Sequence, residues 1–156
     1  EELFGALIDR ERSAIFASLA EILEEARSVR ETLTRFAILL ATRMTSIQVV
    51  RAQRMVIGVS ERMPELGCRF YDAGPDSAKG MLSAYFQRKI TEGQLDVPDT
   101  AIASRQLFDI CAGGLTRACI FGVLETPPSE ALIAETVESG IDMFLARYGT
   151  SALSEG

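Results

Sequence analysis

Histidine and tryptophan are missing from all 156 residues, lysine occurs only at Lys79 and Lys89, and there are three cysteines. Without histidine the chain has no imidazole base, no Ser-His-Asp or Cys-His pair to activate a nucleophile, and no Glu-x-x-His di-iron set. An enzyme is therefore not expected. Cys68, Cys111 and Cys119 are odd in number and make no C-x-x-C pair, so neither a disulfide framework nor a zinc site is predicted, and no metal or cofactor is expected. A surplus of positive charge is lacking too. The 16 Lys+Arg face 22 Asp+Glu, a net charge of −6, which argues against phosphate neutralisation as the task of this segment. Charge-free stretches such as Phe36–Thr42 and Ile110–Thr116 fall far short of the roughly 20 residues that cross a bilayer. With no basic-then-apolar leader, the expectation is a cytoplasmic protein with reduced thiols and no membrane partner.

What is present favours helix. Alanine (19), leucine (16), glutamate (15) and arginine (14) dominate the composition, all good helix formers. The expected fold is all-α, one domain over residues 1–156 with six or seven helices. Apolar residues at spacings of three and four predict helices over about 2–26, 28–45 and 47–62, a short one after Pro64, and others over about 75–92, 101–124 and 127–148. Prolines suit a helix's first turn and glycines its end. Hence Pro75 reads as a start, Gly74, Gly93 and Gly149 as stops, and Thr126 as the cap of the last helix, with Ser129 as its competitor.

Charge is uneven along this plan. Residues 1–26 sum to −5, residues 27–54 to +5 and residues 101–156 to −4. The arginines at 27, 30, 35, 43, 51 and 54 suit an anion site or, more blandly, ion pairing and a wet face. The stretch Leu107–Val123 is apolar nearly all round, so it needs cover on two sides. Gly113, Gly114, Ala118, Gly122 and Gly140 cost helix stability, about 1 kcal/mol for each glycine, which close helix approach can recover. A helix–helix dimer interface is expected there, through Gly114, Leu115, Ala118, Phe121, Gly122, Ile133, Val137, Ile141 and Phe144.

The opening Glu1-Glu2-Leu3-Phe4-Gly5-Ala6-Leu7-Ile8 resembles the start of the fourth helix in the tetracycline-repressor (TetR) family of bacterial regulators. The likeness continues through Arg54-Met55-Val56-Ile57, Glu61-Arg62-Met63-Pro64-Glu65-Leu66, Phe70-Tyr71-Asp72-Ala73-Gly74-Pro75, Gly93-Gln94-Leu95 and the stretch from Ala103 to Gln106-Leu107-Phe108. Over about 54–108 the chain is most similar to the AefR-like C-terminal effector and dimerisation domain. That resemblance implies a ligand-responsive repressor that binds a small-molecule effector, forms a homodimer, and meets operator DNA through an N-terminal helix-turn-helix unit absent from this chain. Residues 1–8 would then begin the linking helix, with Leu3, Phe4 and Leu7 as a hinge or a plain hydrophobic seam. The alternative is a helical dimeric interaction module or small-molecule carrier with no DNA role.

An effector pocket is expected to be mostly apolar with a few polar groups that orient the ligand. Phe36, Leu40, Met44, Met55, Val59, Phe70, Tyr85, Phe108 and Cys111 are the candidates; each also reads as ordinary core. Tyr85 stands out because a buried phenol needs a hydrogen-bond partner. Cys68, beside Arg69, is the candidate for a reactive thiol. Glu61, Glu65 and Asp72 read as capping or ion-pairing groups rather than acid–base catalysts.

Overall fold

A computed structural model describes the backbone of residues 2–155 and the side chains of residues 13–74 and 76–153. Eight α-helices run in order: α1 Glu2–Glu24, α2 Val29–Met44, α3 Ile47–Val59, α4 Pro64–Tyr71, α5 Ser77–Thr91, α6 Thr100–Phe108, α7 Gly114–Ile120 and α8 Glu130–Tyr148. The fold is all-α. The backbone forms no strand among the described residues, only a single antiparallel bridge between Leu95 and Gly149. Leu3, Phe4 and Leu7 lie outside the residues whose side chains are described.

Serine starts three helices. Ser28, Ser46 and Ser129 accept from the backbone N–H of Glu31, Val49 and Leu132, each satisfying one of the donors a helix start leaves free. Ser129 rather than Thr126 therefore caps α8, and Pro127-Pro128 stay in the connecting loop ahead of it. Asp99 caps α6 by accepting from Ala101 and Ile102. At the end of α5, Gly93 takes φ 76° while its N–H bonds Ile90 O and that of Gln94 bonds Lys89 O, the paired closure that a left-handed residue permits.

Pro75 does not begin a helix. It lies inside a π-helical turn, Asp72–Asp76, that joins α4 to α5 without a break, so Gly74 is no stop either. A proline in a helix cannot donate to the carbonyl behind it, and a wider turn is one way to absorb that loss. The Ser77 hydroxyl donates to Asp72 O at 3.0 Å, recovering a carbonyl there. A second π-helical turn, Asp109–Gly113, joins α6 to α7. The expected helix over 101–124 thus runs as two phases of one rod and ends at Ile120.

The core gathers Leu19 and Leu23 of α1, Val29, Leu33, Phe36 and Leu40 of α2, Leu82, Tyr85 and Phe86 of α5, Leu107 of α6, and Ile133, Val137, Ile141 and Phe144 of α8. Phe86 stacks on Phe144 at 5.2 Å between ring centres, and Phe144 meets Tyr148 at 4.9 Å. Each such ring contributes roughly 1.5–3 kcal/mol by leaving water. Gly140 lets α8 press onto the second π-turn: a Cβ there would sit 2.7 Å from Ile110 Cγ2 and 2.9 Å from Cys111 Sγ. Backbone bonds from Asp96 N to Tyr148 O and from Thr150 N to Gln94 O stitch the loop after α5 to the end of α8. No single helix among the described residues is long and apolar enough to cross a membrane.

Candidate functional site

The apolar stripe of α2 contains one polar interruption, Thr32, between Val29 and Leu33. On α5 the inward residues are Ala78, Leu82, Tyr85 and Phe86. Where these stripes meet, the Tyr85 hydroxyl and the Thr32 hydroxyl are both buried and neither has a hydrogen-bond partner. Burial pushes the Tyr85 phenol up from its ordinary pKa, while the neighbouring Thr32 hydroxyl partly opposes the rise. The Thr32 hydroxyl is close enough to act on the phenol, although no hydrogen bond of ordinary length and angle joins the two. Arg88 and Lys89 stand 5.6 and 5.5 Å from the Tyr85 ring centre. Arg88 also donates to Leu23 O at 3.0 Å and reaches Glu24 at 3.1 Å, tying α5 to the last turn of α1.

Six of the nine expected pocket residues fall in or against one cluster. Phe36, Leu40, Tyr85, Phe108 and Cys111 are buried in it, and Met44 packs on its edge. Val59 and Phe70 are half-buried outside it. Met55 is a correction: it is 60% exposed, because α3 turns Val50, Gln53 and Val56 inward and leaves position 55 on the outer side. Thr32 was not anticipated, although a threonine at i+3 within an apolar stripe was the signal for it. The Cys111 thiol, enclosed by the core, is pushed up to about 12 by burial, and burial also raises Cys119, with Arg54 opposing. Cys68 is exposed and free.

The expected dimer residues divide sharply. Ile133, Val137, Ile141 and Phe144 are buried in the chain's own core, so they present no surface to a second copy. Periodicity identified the stripe and could not say what covers it. Gly140 likewise serves a contact within the chain. On α7 and just beyond it, Gly114 and Gly122 are exposed, Leu115 and Ala118 half-buried, and Phe121 is 80% exposed. The outer side of α8 carries Leu132, Thr136, Ser139, Met143 and Ala146 at intervals of three and four, with Met143 60% exposed.

The arginines resolve mostly into contacts within the chain. Arg27 and Arg35 bind Glu25, Arg27 also binds Glu31, and Arg30 binds Asp142 at 2.6 Å. The Arg27 hydrogen bond holds the Glu25 carboxyl below its usual range; burial opposes it, and the hydrogen bond from Arg35 adds to the lowering. Glu25, Ala26, Arg27, Ser28 and Glu31 line an open hollow of about 620 Å³ at the α1–α2 turn, where both carboxylates are ion-paired, Glu25 with Arg27 and Arg35 and Glu31 with Arg27. Arg54 donates to Ile120 O at 2.8 Å and Cys119 O at 2.7 Å, placing a cation on the carbonyl end of α7, where the helix dipole favours it.

This arrangement of helices, with α2, α5 and α8 enclosing an apolar centre, corresponds to known proteins. The model of the AefR-like transcriptional repressor C-terminal domain matches residues 31–150. The chain belongs to this family. Its members are regulators of the TetR type, and the fold agrees with solved TetR structures. A protein assigned to the TetR family from Mesorhizobium loti superposes with a TM-score of 0.82 at 22% identity, over 95% of this chain and 74% of that one. The flavonoid-responsive regulator FrrA gives 0.70 at 21%, over 90% and 74%. A TetR regulator from Agrobacterium tumefaciens gives 0.65 at 17%, over 88% and 73%. Among curated proteins none matches.

Proposed function

We propose that this chain is the effector-binding and dimerising part of a one-component transcriptional repressor. The observation that carries the reading is the family match over 31–150, supported by a fold whose centre is apolar and holds an unsatisfied hydroxyl pair. A small molecule enters among Phe36, Leu40, Met44, Tyr85, Phe108 and Cys111, and its preference for one arrangement of α1 over another alters operator binding by the helix-turn-helix unit of the whole regulator. A coupling of about 1–3 kcal/mol suffices for such control. The residues play no catalytic part. FrrA is flavonoid-responsive, which makes planar aromatic compounds a first choice for screening.

Dimerisation is assigned to the outer sides of α7 and α8, with Leu115 and Ala118 on the first, Phe121 and Gly122 just beyond its end, and Leu132, Ser139, Met143 and Ala146 on the second. Two measurements test the reading. Light scattering at micromolar concentration gives a dimer for the native chain and a monomer for Phe121→Asp/Met143→Asp; a native monomer, or a variant of unchanged mass, rejects the interface. A thermal-shift screen over aromatic, quaternary-cation and acyl compounds yields at least one stabilising ligand, since binding to the folded state raises apparent stability. A screen in which every class leaves the melting point unmoved rejects the effector role.

A further inference from the structure

Three buried hydroxyls among the described residues lack a partner: that of Thr116 on α7, and those of Thr32 and Tyr85, which neighbour each other. Thr42, Thr45, Thr91 and Thr136 each turn the side chain back to the carbonyl four residues earlier, at 2.7–3.1 Å. Thr32 has the same option, because Ser28 O lies one turn behind it and already accepts from Thr32 N, yet its hydroxyl is unbonded. Of the two buried tyrosines, Tyr148 donates to Gln106, while Tyr85 donates to nothing. Thr32 and Tyr85 are 1% and 2% exposed, so bulk water does not satisfy them, and a buried hydroxyl left unpaired is unfavourable.

Each hydroxyl both donates and accepts, and an acceptor set between them is the group that pairs both buried protons at once. Both O–H groups can point to one oxygen placed between them. An ionised oxygen is a poor occupant, because a desolvated carboxylate needs a free cation beside it, and both cations at the Tyr85 ring are committed, Arg88 to Leu23 O and Glu24 and Lys89 to Glu92. We infer that Tyr85 and Thr32 form a two-donor recognition point for an uncharged carbonyl oxygen, so that the effector is a neutral, largely apolar aromatic ketone or a lactone of similar shape. This rests on the effector-binding reading above and adds the chemical class of the ligand to it. The cations over the Tyr85 ring strengthen the phenol as a donor, and the acceptor takes both protons without any proton transfer.

The test uses the full-length regulator and matched pairs that differ in the carbonyl alone: flavanone with flavan, fluorenone with fluorene, acetophenone with ethylbenzene. At about 100 times its dissociation constant, at least one ketone raises the melting temperature by about 5–10 °C. It binds at least about tenfold more tightly than its carbonyl-free partner, because such a site rejects the analogue that leaves its donors unpaired. In Tyr85→Phe/Thr32→Val that ratio falls to about one; if the double variant does not fold, Tyr85→Phe alone is read for the same loss. Equal affinity for ketone and hydrocarbon, or a ratio that survives the substitutions, overturns the carbonyl assignment and leaves the effector reading standing. Without ligand, Tyr85→Phe melts at or above the native temperature. A fall of more than about 3 °C shows the hydroxyl satisfied by internal water in the resting protein and overturns the inference as well. If neither these pairs nor the wider screen moves the melting point, the effector reading itself fails and this inference with it.

Discussion

In α8, Ile133, Val137, Gly140, Ile141, Phe144 and Tyr148 are buried; in α4 no residue is, although Leu66, Phe70 and Tyr71 lie there. The neighbouring α3 buries only Val50, Gln53 and Val56 and exposes Ile47, Met55 and Ile57. Two regions of similar apolar content thus differ in whether other helices reach them. α8 lies against α2, α6 and the second π-turn, whereas α3 lies between α4 and α7, and α4 meets only α3 and the π-turn that follows it to any extent. Hydrophobic periodicity specifies a stripe, and packing decides whether the stripe is core or surface.

Substitutions in the two regions should separate them by several kcal/mol. Phe144→Ala removes a ring packed between Phe86 and Tyr148 and is expected to cost about 3–5 kcal/mol, lowering the melting temperature by about 10 °C or more. Gly140→Ala forces a methyl group against Ile110 and Cys111; overpacking of about 1–3 kcal/mol exceeds the helix-propensity gain of about 1 kcal/mol, so calorimetry should show a smaller but clear loss. A stabilised Gly140→Ala would mean that α8 can ride away from the π-turn. Arg54→Met deletes both bonds to the end of α7 and should lower stability by about 1 kcal/mol, the contact that ties the loosely packed region to the rest. Met55→Lys, on the open side of α3, should stay within about 0.5 kcal/mol. A drop of several degrees there would reveal a cover over α3 in solution and dissolve the contrast.

The thiols sharpen the same comparison through pH. Cys111 has its folded pKa raised to about 12 from 9.0, so the folded state holds the proton more tightly than the unfolded chain. Its contribution is fully present below about pH 9 and is lost as pH rises through about 12. Melting curves of native protein and Cys111→Ala should therefore converge over that window. An unchanged gap would place the thiol in contact with solvent. Cys68, exposed, should react with a thiol reagent while the protein is folded and Cys111 should not.

Much of the fold was legible beforehand because the physics is local: helix formers, caps at Ser28, Ser46 and Ser129, and closure at Gly93 are decided within a few residues. The π-turns were not legible, since Pro75 satisfies the rule for a helix start equally well and only the continuity of α4 and α5 overrides it. The buried aromatic site was half visible. Tyr85 announced itself as a phenol in an apolar stripe, while Thr32 passes as an ordinary helix threonine until its missing back-bond is seen. The α8 residues expected at a dimer interface are buried in the chain's own core instead, because a stripe's partner is a property of three-dimensional packing.

The turn at Asp72–Asp76 has a further meaning as a device of angular phase. In a straight α-helix residues seven apart share a face, so Tyr71 would stand over Ala78; here Tyr71 is exposed and it is Phe70, eight residues before Ala78, that is half-buried with Leu66. One additional residue in the rod advances everything before it by about 100°. The wide turn takes up that rotation, so Phe70 keeps the place over Ala78 that a regular helix one residue shorter would give it. The extra residue at 72–76 thus lengthens the rod without turning it.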